Sequence, residues 1–471
     1  MEVENVVADN RFYSELFFEL SVLIGKNTEV QKMRFNSGSE RIEPFMRNYK
    51  YRVSPWPCII GEKFTKKIND LVRKVPSLVQ KVLRLKLDEG VDEFASYLNV
   101  SPIVAALFNE QKFDISDVPI RFDAIIQERQ IRLLELNCGA ALGGWQMDSL
   151  SPEVLNSLHV FEQSGTWNIK HRNICESLFG SICQSIFRIK GKKVTGNILF
   201  YMPELTDERR SIIQQRFQSV YEYVRPSHLS SGDVIFIKNL SDLEFSSDGY
   251  ALANSVVVDA IIFAVDKDGQ VPVSKYNQVQ AESAKGKFYY PDHSNFVLMG
   301  NKHVFSLMHE NSIQKKLSKD ELETIQQYFP WSRKLSKIEE QGSDEIDIQL
   351  LLEQKNRFLL KKAHSAQGED VIIGSSVSDK EWSDSVEMLR NDNDWIVQSY
   401  CEPDLVLTAD EFSGYQNFRM IWGIFSLSGK YAGSFLRGVP DMSDSTVINS
   451  AHGATEFLVF EEQEKKKKVL I

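Results

Sequence analysis

The segments IRFD and LELN, which begin at positions 120 and 134, constrain the fold most because polar and apolar side chains alternate in both. Alternate side chains of a strand point to opposite faces of a sheet, so Arg121 and Asp123 share one face. Glu135 and Asn137 share a face for the same reason. A turn at residues 128–130 places Asp123 opposite Glu135. The same register places Arg121 opposite Asn137, so the sequence predicts a β-hairpin with one polar face.

The polar face of this hairpin is a candidate metal site. Asp123, Glu135 and Asn137 offer two carboxylates and an amide oxygen. Mg²⁺ takes oxygen ligands, keeps several waters and often links protein carboxylates to substrate phosphates. The other interpretation is an amphipathic hairpin whose charged face meets solvent, because edge hairpins often carry charges. The spacing alone leaves both interpretations open.

Six further motifs follow the hairpin in a fixed order. They are NK at 301–302, PWSR at 330–333, FLLK at 358–361, GEDV at 368–371, WIVQ at 395–398 and LRG at 436–438. With the Arg-x-Asp and Glu-x-Asn pairs of the hairpin, this ordered set resembles the circularly permuted ATP-grasp ligases. It is similar in particular to the synthetase domain of glutathionylspermidine synthetase. The resemblance extends over almost the whole chain.

The resemblance implies an α/β (α+β) protein with a circularly permuted ATP-grasp fold. The implied activity is an ATP-dependent carboxylate–amine ligase, which forms an amide bond through an acyl phosphate and releases ADP and phosphate. ATP and Mg²⁺ are then required. The implied partners are a small-molecule or peptide carboxylate and an amine. A peptide, an amino acid or a biosynthetic intermediate would each suit such a site.

The resemblance also assigns nucleotide-binding residues. Lys302 and Lys361 would contact phosphate oxygens, for which a compact ammonium group on a long stem is well suited. Gly368 would belong to the loop that covers the phosphates, and Gln398 would lie beside the adenine at the interlobe hinge. The covering loop of the family usually has two or three glycines and a proline. This chain offers Gly368 alone and Lys362 in the proline position, so fewer backbone amides reach the phosphates.

The implied catalytic residues are two arginines. Arg121 and Arg437 would stabilise the acyl phosphate or the substrate carboxylate, because a fixed cationic group stabilises developing oxyanion charge. Asp123, Glu135 and Asn137 would hold Mg²⁺. No side-chain nucleophile is needed, since positioning and electrostatics carry phosphoryl transfer.

Two other functions stay open at the level of sequence. The first is a non-catalytic or regulatory ATP-binding module, and the glycine-poor phosphate loop favours it. The second is an ATP-dependent phosphotransferase, which would phosphorylate a substrate without joining it to an amine. A stable phosphorylated product formed without a condensation partner would distinguish this enzyme from a ligase.

The length of 471 residues exceeds one ordinary hydrophobic core and predicts several domains or lobes. We expect an N-terminal helical region at 1–115 and a metal- and substrate-binding segment of the ATP-grasp core at 116–185. An α/β domain at 186–300 and the ATP-binding lobes at 301–471 follow.

The middle domain is predicted to contain a mainly parallel sheet. Strand patterns at 194–202, 233–238 and 256–263 alternate with a helical pattern at 206–224. The apolar run 256–263 suits a strand that is buried on both faces. Asp259 interrupts this run and is either a partnered structural aspartate or a residue at the edge of an active site.

Helical patterns flank these strands. Apolar residues recur at three- and four-residue spacing in 12–24 and 62–85, and a helical stretch is predicted for 302–327. Within that stretch, Ser318 and Glu321 match a capping box that opens a helix. Pro330 disfavours helical geometry at the residue before it, so the helix should end there. A further helix is predicted for 379–390.

Composition excludes several other classes of protein. The net charge of −10 argues against a nucleic-acid partner. The five cysteines lack a CxxC pair, which favours a reducing, cytoplasmic location over a disulfide framework. No apolar run approaches the length needed to cross a bilayer, so no membrane partner is expected. The oligomeric state is left open.

Overall fold

The structure is a computed structural model, and it describes most of the chain. The described residues are 9–110, 113–140, 142–164, 167–191, 195–227, 229–264, 271–338, 346–364, 370–443 and 447–463. Gly368, the predicted phosphate-loop glycine, lies outside these residues. The fold is a mixture of helices with parallel and antiparallel sheets, as expected for an α+β protein.

The described residues form eighteen strands and fifteen α-helices. The strands are β1 Cys58–Ile60, β2 Ile120–Gln127, β3 Gln130–Cys138, β4 Ile169–His171, β5 Ile198–Tyr201, β6 Val234–Ile237, β7 Leu243–Phe245, β8 Ala251–Ala253, β9 Val256–Val258, β10 Ala260–Phe263, β11 Ser332–Lys334, β12 Phe358–Lys362, β13 Val371–Ile373, β14 Trp395–Ser399, β15 Val406–Asp410, β16 Gly414–Leu427, β17 Lys430–Pro440 and β18 Thr455–Glu462. The helices are α1 Glu15–Gly25, α2 Thr28–Gln31, α3 Glu62–Leu87, α4 Val91–Leu98, α5 Pro102–Glu110, α6 Ser151–Ser157, α7 Ile174–Lys190, α8 Asp207–Val224, α9 Val273–Ser283, α10 Ser294–Val297, α11 His303–Leu307, α12 Asn311–Gln314, α13 Lys319–Tyr328, α14 Ile348–Glu353 and α15 Asp379–Leu389.

The largest sheet has eight strands and carries the predicted hairpin. Its order is β1–β18–β17–β16–β2–β3, with β15 paired to β16 and β4 paired to β18. Helix α3 packs on this sheet, and the ring of Phe64 lies 5.0 Å from that of Trp422 on β16. The sheet joins strands from three of the predicted segments, 1–115, 116–185 and 301–471. The predicted domain boundaries themselves stay predictions.

The hairpin of β2 and β3 has a shorter turn than predicted. Gln127 pairs with Gln130, so the turn has two residues, Glu128 and Arg129, both with positive φ. Such a turn matches the twist of the flanking strands. The carboxylate of Asp404 accepts both turn amides at 2.8 Å and stabilises this conformation.

A β-bulge restores the predicted pairing further along the hairpin. The register shifts after Asp123, where Leu134 is the extra residue on β3. Beyond the bulge Asp123 pairs with Glu135, and Arg121 pairs with Asn137, as predicted. A bulge leaves its extra residue outside the ladder and re-aims neighbouring groups. The carbonyl of Leu134 is therefore available to another partner.

The middle region contains the predicted parallel sheet, in the order β10–β5–β6. Helix α8 occupies the predicted position between β5 and β6. The prediction of one strand at 256–263 was wrong. Val256 and Val257 are exposed in β9, which belongs to an antiparallel sheet with β8, and only β10 is fully buried. Asp259 separates the two strands.

Asp259 is a partnered structural aspartate. Its side chain is buried and accepts hydrogen bonds from the Asn197 amide at 2.8 Å and the Thr195 hydroxyl at 3.1 Å. Lys190 forms an ion pair with it. These contacts satisfy the carboxylate, so it stabilises the start of the parallel sheet.

A four-stranded antiparallel sheet, β11–β14–β12–β13, forms a separate unit and packs on α14 and α15. The stretch preceding it was predicted as one helix but forms α11, α12 and α13. The capping box of Ser318 and Glu321 is confirmed at the start of α13. This helix ends at Tyr328, two residues before Pro330. The helix predicted at 379–390 is confirmed as α15.

Within the described ranges, no helix combines the length and the apolar character needed to cross a membrane.

Candidate functional site

Asp123 is buried between two arginines on the large sheet. Its Oδ1 accepts a hydrogen bond from Arg121 Nε at 2.7 Å, and its Oδ2 accepts from Arg437 Nη2 at 2.7 Å. Arg121 Nη2 also donates to Oδ2 at 3.1 Å. Burial alone raises the pKa of a carboxyl group, but the two guanidinium groups outweigh it and lower the pKa of Asp123. The carboxylate therefore stays charged and fixes both arginines.

Gly423 on β16 provides space beside this ion-pair group. It lies opposite both Asp123 and Phe435 in neighbouring strands. A Cβ at this position would lie 2.4 Å from Cε1 of Phe435. The absence of a side chain thus lets the Phe435 ring lie over β16, where it is 5.7 Å from the guanidinium carbon of Arg437. Gly423 and the Phe435 ring together form an apolar surface beside Arg437.

A second group of polar side chains surrounds Glu135. Lys302 Nζ lies 3.5 Å from Glu135 Oε2, and Asn137 Nδ2 donates to Oε1 at 3.3 Å. Lys361 Nζ donates to the carbonyl of the bulge residue Leu134 at 2.7 Å. The bulge therefore lets Lys361 of β12 contact β3, the strand that carries Glu135 and Asn137. Four predicted site residues, Glu135, Asn137, Lys302 and Lys361, are together.

Burial has a large effect on Lys361. It lowers the pKa of this ammonium group to about 7, the charge of Glu135 opposes the shift, and the charge of Lys302 adds to it. The side chain is held with its ammonium next to a backbone carbonyl and a carboxylate. A ligand that carried several negative charges would favour its charged form.

A cavity of about 760 Å³ opens beside this second group. Glu135, Asn137 and Lys302 line it. His364 and Asp370 also line it, and neither was predicted from the sequence. The lone His364 has no motif around it, whereas the position of Asp370 just before a strand that pairs with β12 was a usable signal. A cavity of this size matches those that hold small-molecule ligands.

Gln398 is not among the residues that line the cavity. Its side chain is almost fully buried, and its Nε2 donates to the hydroxyl of Ser332 at 2.9 Å on the neighbouring strand β11. Gln398 pairs with Leu359 of β12 on its other side. In this arrangement its amide nitrogen links two strands of the four-stranded sheet.

The residues near the cavity fit Mg²⁺ in part. Across the described residues, three or more His, Cys, Asp or Glu side chains nowhere gather as a metal site would require. Both oxygens of Asp123 accept hydrogen bonds from arginines, so of the three predicted metal ligands Glu135 and Asn137 offer oxygen atoms at the cavity. Mg²⁺ commonly uses one or two protein carboxylates together with waters and substrate phosphates. Glu135 and Asn137 fit that pattern.

Comparison with solved structures gives the fold. The structure matches that of a glutathione synthetase-like effector, GSS30 from Globodera pallida in its apo form, with a TM-score of 0.59 and 10% sequence identity. The match covers 97% of this chain and 99% of the effector. The protein has a glutathione synthetase-like fold. Because the identity is this low, the match concerns the fold alone.

The other comparisons give little further information about the fold or the family. A Methylobacillus flagellatus protein provisionally described as a gamma-glutamylcysteine synthetase matches with a TM-score of 0.38 and 10% identity. It covers 82% of this chain and 87% of its own, at a TM-score too low to indicate a shared fold. No protein-family model matches the sequence, and no curated protein matches it.

Proposed function

We propose that the protein is an ATP-dependent ligase that joins a carboxylate to an amine through an acyl phosphate. The observation that carries this proposal is the convergence of Lys302, Lys361 and Glu135, of which Lys302 and Glu135 line a cavity of about 760 Å³. These residues come from three separate elements of the fold. Two ammonium groups and a carboxylate suit the recognition of a polyphosphate with its cation.

The lysines would bind the phosphates of ATP. Lys302 and Lys361 supply positive charge without a fixed fork, which suits oxygens that change position during transfer. Glu135 and Asn137 would hold Mg²⁺, which neutralises charge on the phosphates when it is bound. Asp123 would act as a positioning residue, because it holds Arg121 and Arg437 in place.

The reaction would then proceed in two steps. A substrate carboxylate oxygen attacks the γ-phosphorus, the bond to ADP breaks, and an acyl phosphate forms. An amine nitrogen attacks the acyl carbon, the bond to phosphate breaks, and the nitrogen loses a proton. Arg437 would stabilise the negative charge that develops on the reacting oxygen atoms. In support of this role, its Nε is buried and has no hydrogen-bond partner among the described residues. A rigid donor of this kind stabilises an oxyanion without reorganisation.

The structural neighbour supports a synthetase and also suggests an alternative. GSS30 is described as an effector that is like glutathione synthetase. A protein with the same fold that binds ATP without turnover is the second candidate function. The specific observation in its favour is the pairing of Asp123 with two arginines, which leaves fewer oxygen ligands for a metal.

We expect Glu135→Gln to reduce Mg²⁺-dependent ADP release at least 100-fold, because the change removes the only predicted metal carboxylate at the cavity. ADP release is measured with panels of carboxylates and amines. Glu128→Gln is the matched control, since it makes the same change at the exposed turn of the same hairpin.

The outcomes separate the candidate functions. ADP release that needs both a carboxylate and an amine, and that Glu135→Gln abolishes, supports the ligase. A phosphorylated carboxylate formed without an amine would instead identify a phosphotransferase. ATP binding without release from any pair supports the non-catalytic module. Absence of ATP binding would reject the proposal.

Gly300 offers a separate test of how Lys302 is positioned. A Cβ on Gly300 would lie 2.7 Å from the backbone carbonyl oxygen of Leu136 on β3. We expect Gly300→Ala to push the following residues away from β3, to separate Lys302 from Glu135 and to weaken ATP binding roughly tenfold, about 1.4 kcal/mol. Calorimetric titration with ATP measures the effect.

The control for this prediction is Gly180→Ala. Gly180 lies within α7, and a Cβ there has no neighbour within 4 Å. This change should leave ATP binding unaltered and should stabilise the helix by about 0.5–1 kcal/mol. Equal ATP affinity in the wild type and in Gly300→Ala would contradict the assigned role of Lys302.

A further inference from the structure

His364 on the cavity wall is held by a buried carboxylate. Its Nδ1 lies 2.5 Å from Asp394 Oδ1, and the Asp394 side chain is buried. Burial acts to raise the pKa of Asp394, but the neighbouring His303 and the hydrogen bonds from His364 and Asn99 outweigh it and hold the pKa well below its usual range. Asp394 is therefore a carboxylate and accepts. It follows that Nδ1 of His364 carries a hydrogen and donates.

Asn301 determines the state of the other ring nitrogen. Its Nδ2 donates to the Leu98 carbonyl at 2.9 Å, and its Oδ1 accepts from the His303 amide at 2.9 Å. These backbone partners fix which atom of the side chain is nitrogen. The Nδ2 of Asn301 also lies 3.3 Å from Nε2 of His364. Because Nδ2 is a donor, Nε2 accepts, and His364 is neutral in this arrangement.

Protonation of His364 would change this contact. Both ring nitrogens then carry hydrogens, and Nε2–H would face the N–H groups of Asn301. Two donors that face each other need a common acceptor. Asn301 and His364 both line the cavity, and the His364 side chain is 40% exposed. An anionic oxygen in the cavity would satisfy both donors, while Asp394 stabilises the positive charge of the ring.

We propose that His364 and Asn301 form an anion-binding subsite for the polyphosphate of ATP, and that His364 takes up a proton when the nucleotide binds. The inference rests on the proposed function, because it uses ATP as the anion. Asp394 is a positioning residue, which orients the ring and supports its charge. His364 is then a third cationic group beside Lys302 and Lys361.

Several charged or titratable groups lie around this pair. They are Lys302 and His303 at the start of α11, Lys334 on β11, Glu135 on β3 and Asp370 before β13. His303 lies 3.8 Å from Asp394 Oδ1, and burial lowers its pKa, so it stays neutral. Lys361 also exchanges a proton near neutral pH, because burial lowers its pKa to about 7. The experiment must therefore separate His364 from Lys361.

Calorimetry provides this separation. ATP is titrated into the wild type, His364→Gln and Asp394→Asn at pH 7.5 in two buffers with different ionisation enthalpies. The difference between buffers gives the number of protons taken up. We expect up to about one proton fewer for His364→Gln than for the wild type, because the contribution of Lys361 is common to both. Asp394→Asn should also lower the uptake.

The affinity for ATP should also depend on pH, because proton uptake by His364 is coupled to ATP binding in this proposal. Between pH 6 and pH 8 the wild-type Kd for ATP should rise with pH more steeply than that of His364→Gln, by up to about tenfold for each pH unit. His452→Gln is the matched control, since His452 is exposed and lies outside the cavity lining. Its proton uptake and pH dependence should equal those of the wild type.

A measurement on the unaltered protein protects the test against misfolded variants. The imidazole resonances of His364 are followed by NMR against pH, with and without saturating ATP. A titration midpoint that moves to higher pH with ATP supports the subsite. An unchanged midpoint, with ATP bound, overturns the inference and leaves the ligase proposal intact. Absence of ATP binding rejects both.

Discussion

Lys361→Met is expected to abolish most ATP binding and at the same time to stabilise the free protein. The side chain is buried, and its ammonium group donates to the Leu134 carbonyl. Loss of the charged contact to phosphate that we propose for Lys361 would weaken binding by about 2–3 kcal/mol, which is roughly a 30- to 150-fold rise in Kd. Calorimetric titration with ATP measures the loss.

The stability gain follows from the lowered pKa of Lys361. Its pKa is about 7 in the folded protein and about 10.4 in an unfolded chain. Below pH 7 both states bind the proton, so the folded state bears the full cost of the buried charge. Between pH 7 and about 10 the unfolded state binds more protons, so wild-type stability rises with pH.

Lys361→Met should therefore be more stable than the wild type by about 1–3 kcal/mol at pH 6, with the gain fading towards pH 10. The loss of the hydrogen bond to Leu134 reduces this gain. Urea unfolding at several pH values measures it. Lys362→Met is the matched control, because Lys362 is the next residue of β12 and points to the opposite face. A less stable Lys361→Met protein at pH 6 would contradict the buried-charge argument.

The hairpin illustrates what the sequence predicts well. Strand alternation identified which polar side chains share a face, and the predicted pairing of Asp123 with Glu135 holds because a bulge compensates for the error in the turn. The turn itself was predicted one residue too long. Nothing in the local pattern marks Leu134 as a bulge, since a bulge is stabilised by contacts such as that with Lys361 from a distant strand.

Two other predictions were wrong for a similar reason, since contacts between distant residues determine where these elements end. The apolar run 256–263 contains no residue that breaks a strand, yet Asp259 separates β9 from β10 because three distant groups hold its carboxylate. The stretch 302–327 has helical composition throughout. It divides into three helices, and the first of them begins beside Lys302, where Gly300 makes a close contact with β3.

The candidate site was predicted mainly from the motifs shared with a ligase family, and less from the patterns of strands and helices. The motifs placed Lys302, Lys361 and Glu135 in one site, and the structure brings them together. They did not indicate the histidine at the cavity wall. They also did not indicate that two arginines would occupy both oxygens of Asp123, since this depends on the order of strands in the large sheet.

Asp123→Asn is expected to destabilise the protein by about 3–5 kcal/mol, because it removes the charge of the carboxylate to which the buried guanidinium groups of Arg121 and Arg437 both donate. Glu135→Gln should change stability by about 1 kcal/mol or less, since Glu135 is partly exposed and its ion pair with Lys302 is longer. Urea unfolding of both variants at pH 7 provides the comparison. Although the two carboxylates face each other in the hairpin, they should affect different properties.

The dependence on pH distinguishes a structural ion pair from a metal ligand at Asp123. The pKa of Asp123 is lowered in the folded state, so its contribution is complete above the unfolded pKa of about 3.9 and declines as the pH falls through the folded value. The stability difference between the wild type and Asp123→Asn should therefore persist at pH 7 without Mg²⁺ and shrink at acid pH. A variant that unfolds like the wild type without Mg²⁺, but no longer gains stability or ATP affinity from Mg²⁺, would instead identify Asp123 as a ligand. In that case the two arginines must move away from the carboxylate when the metal binds.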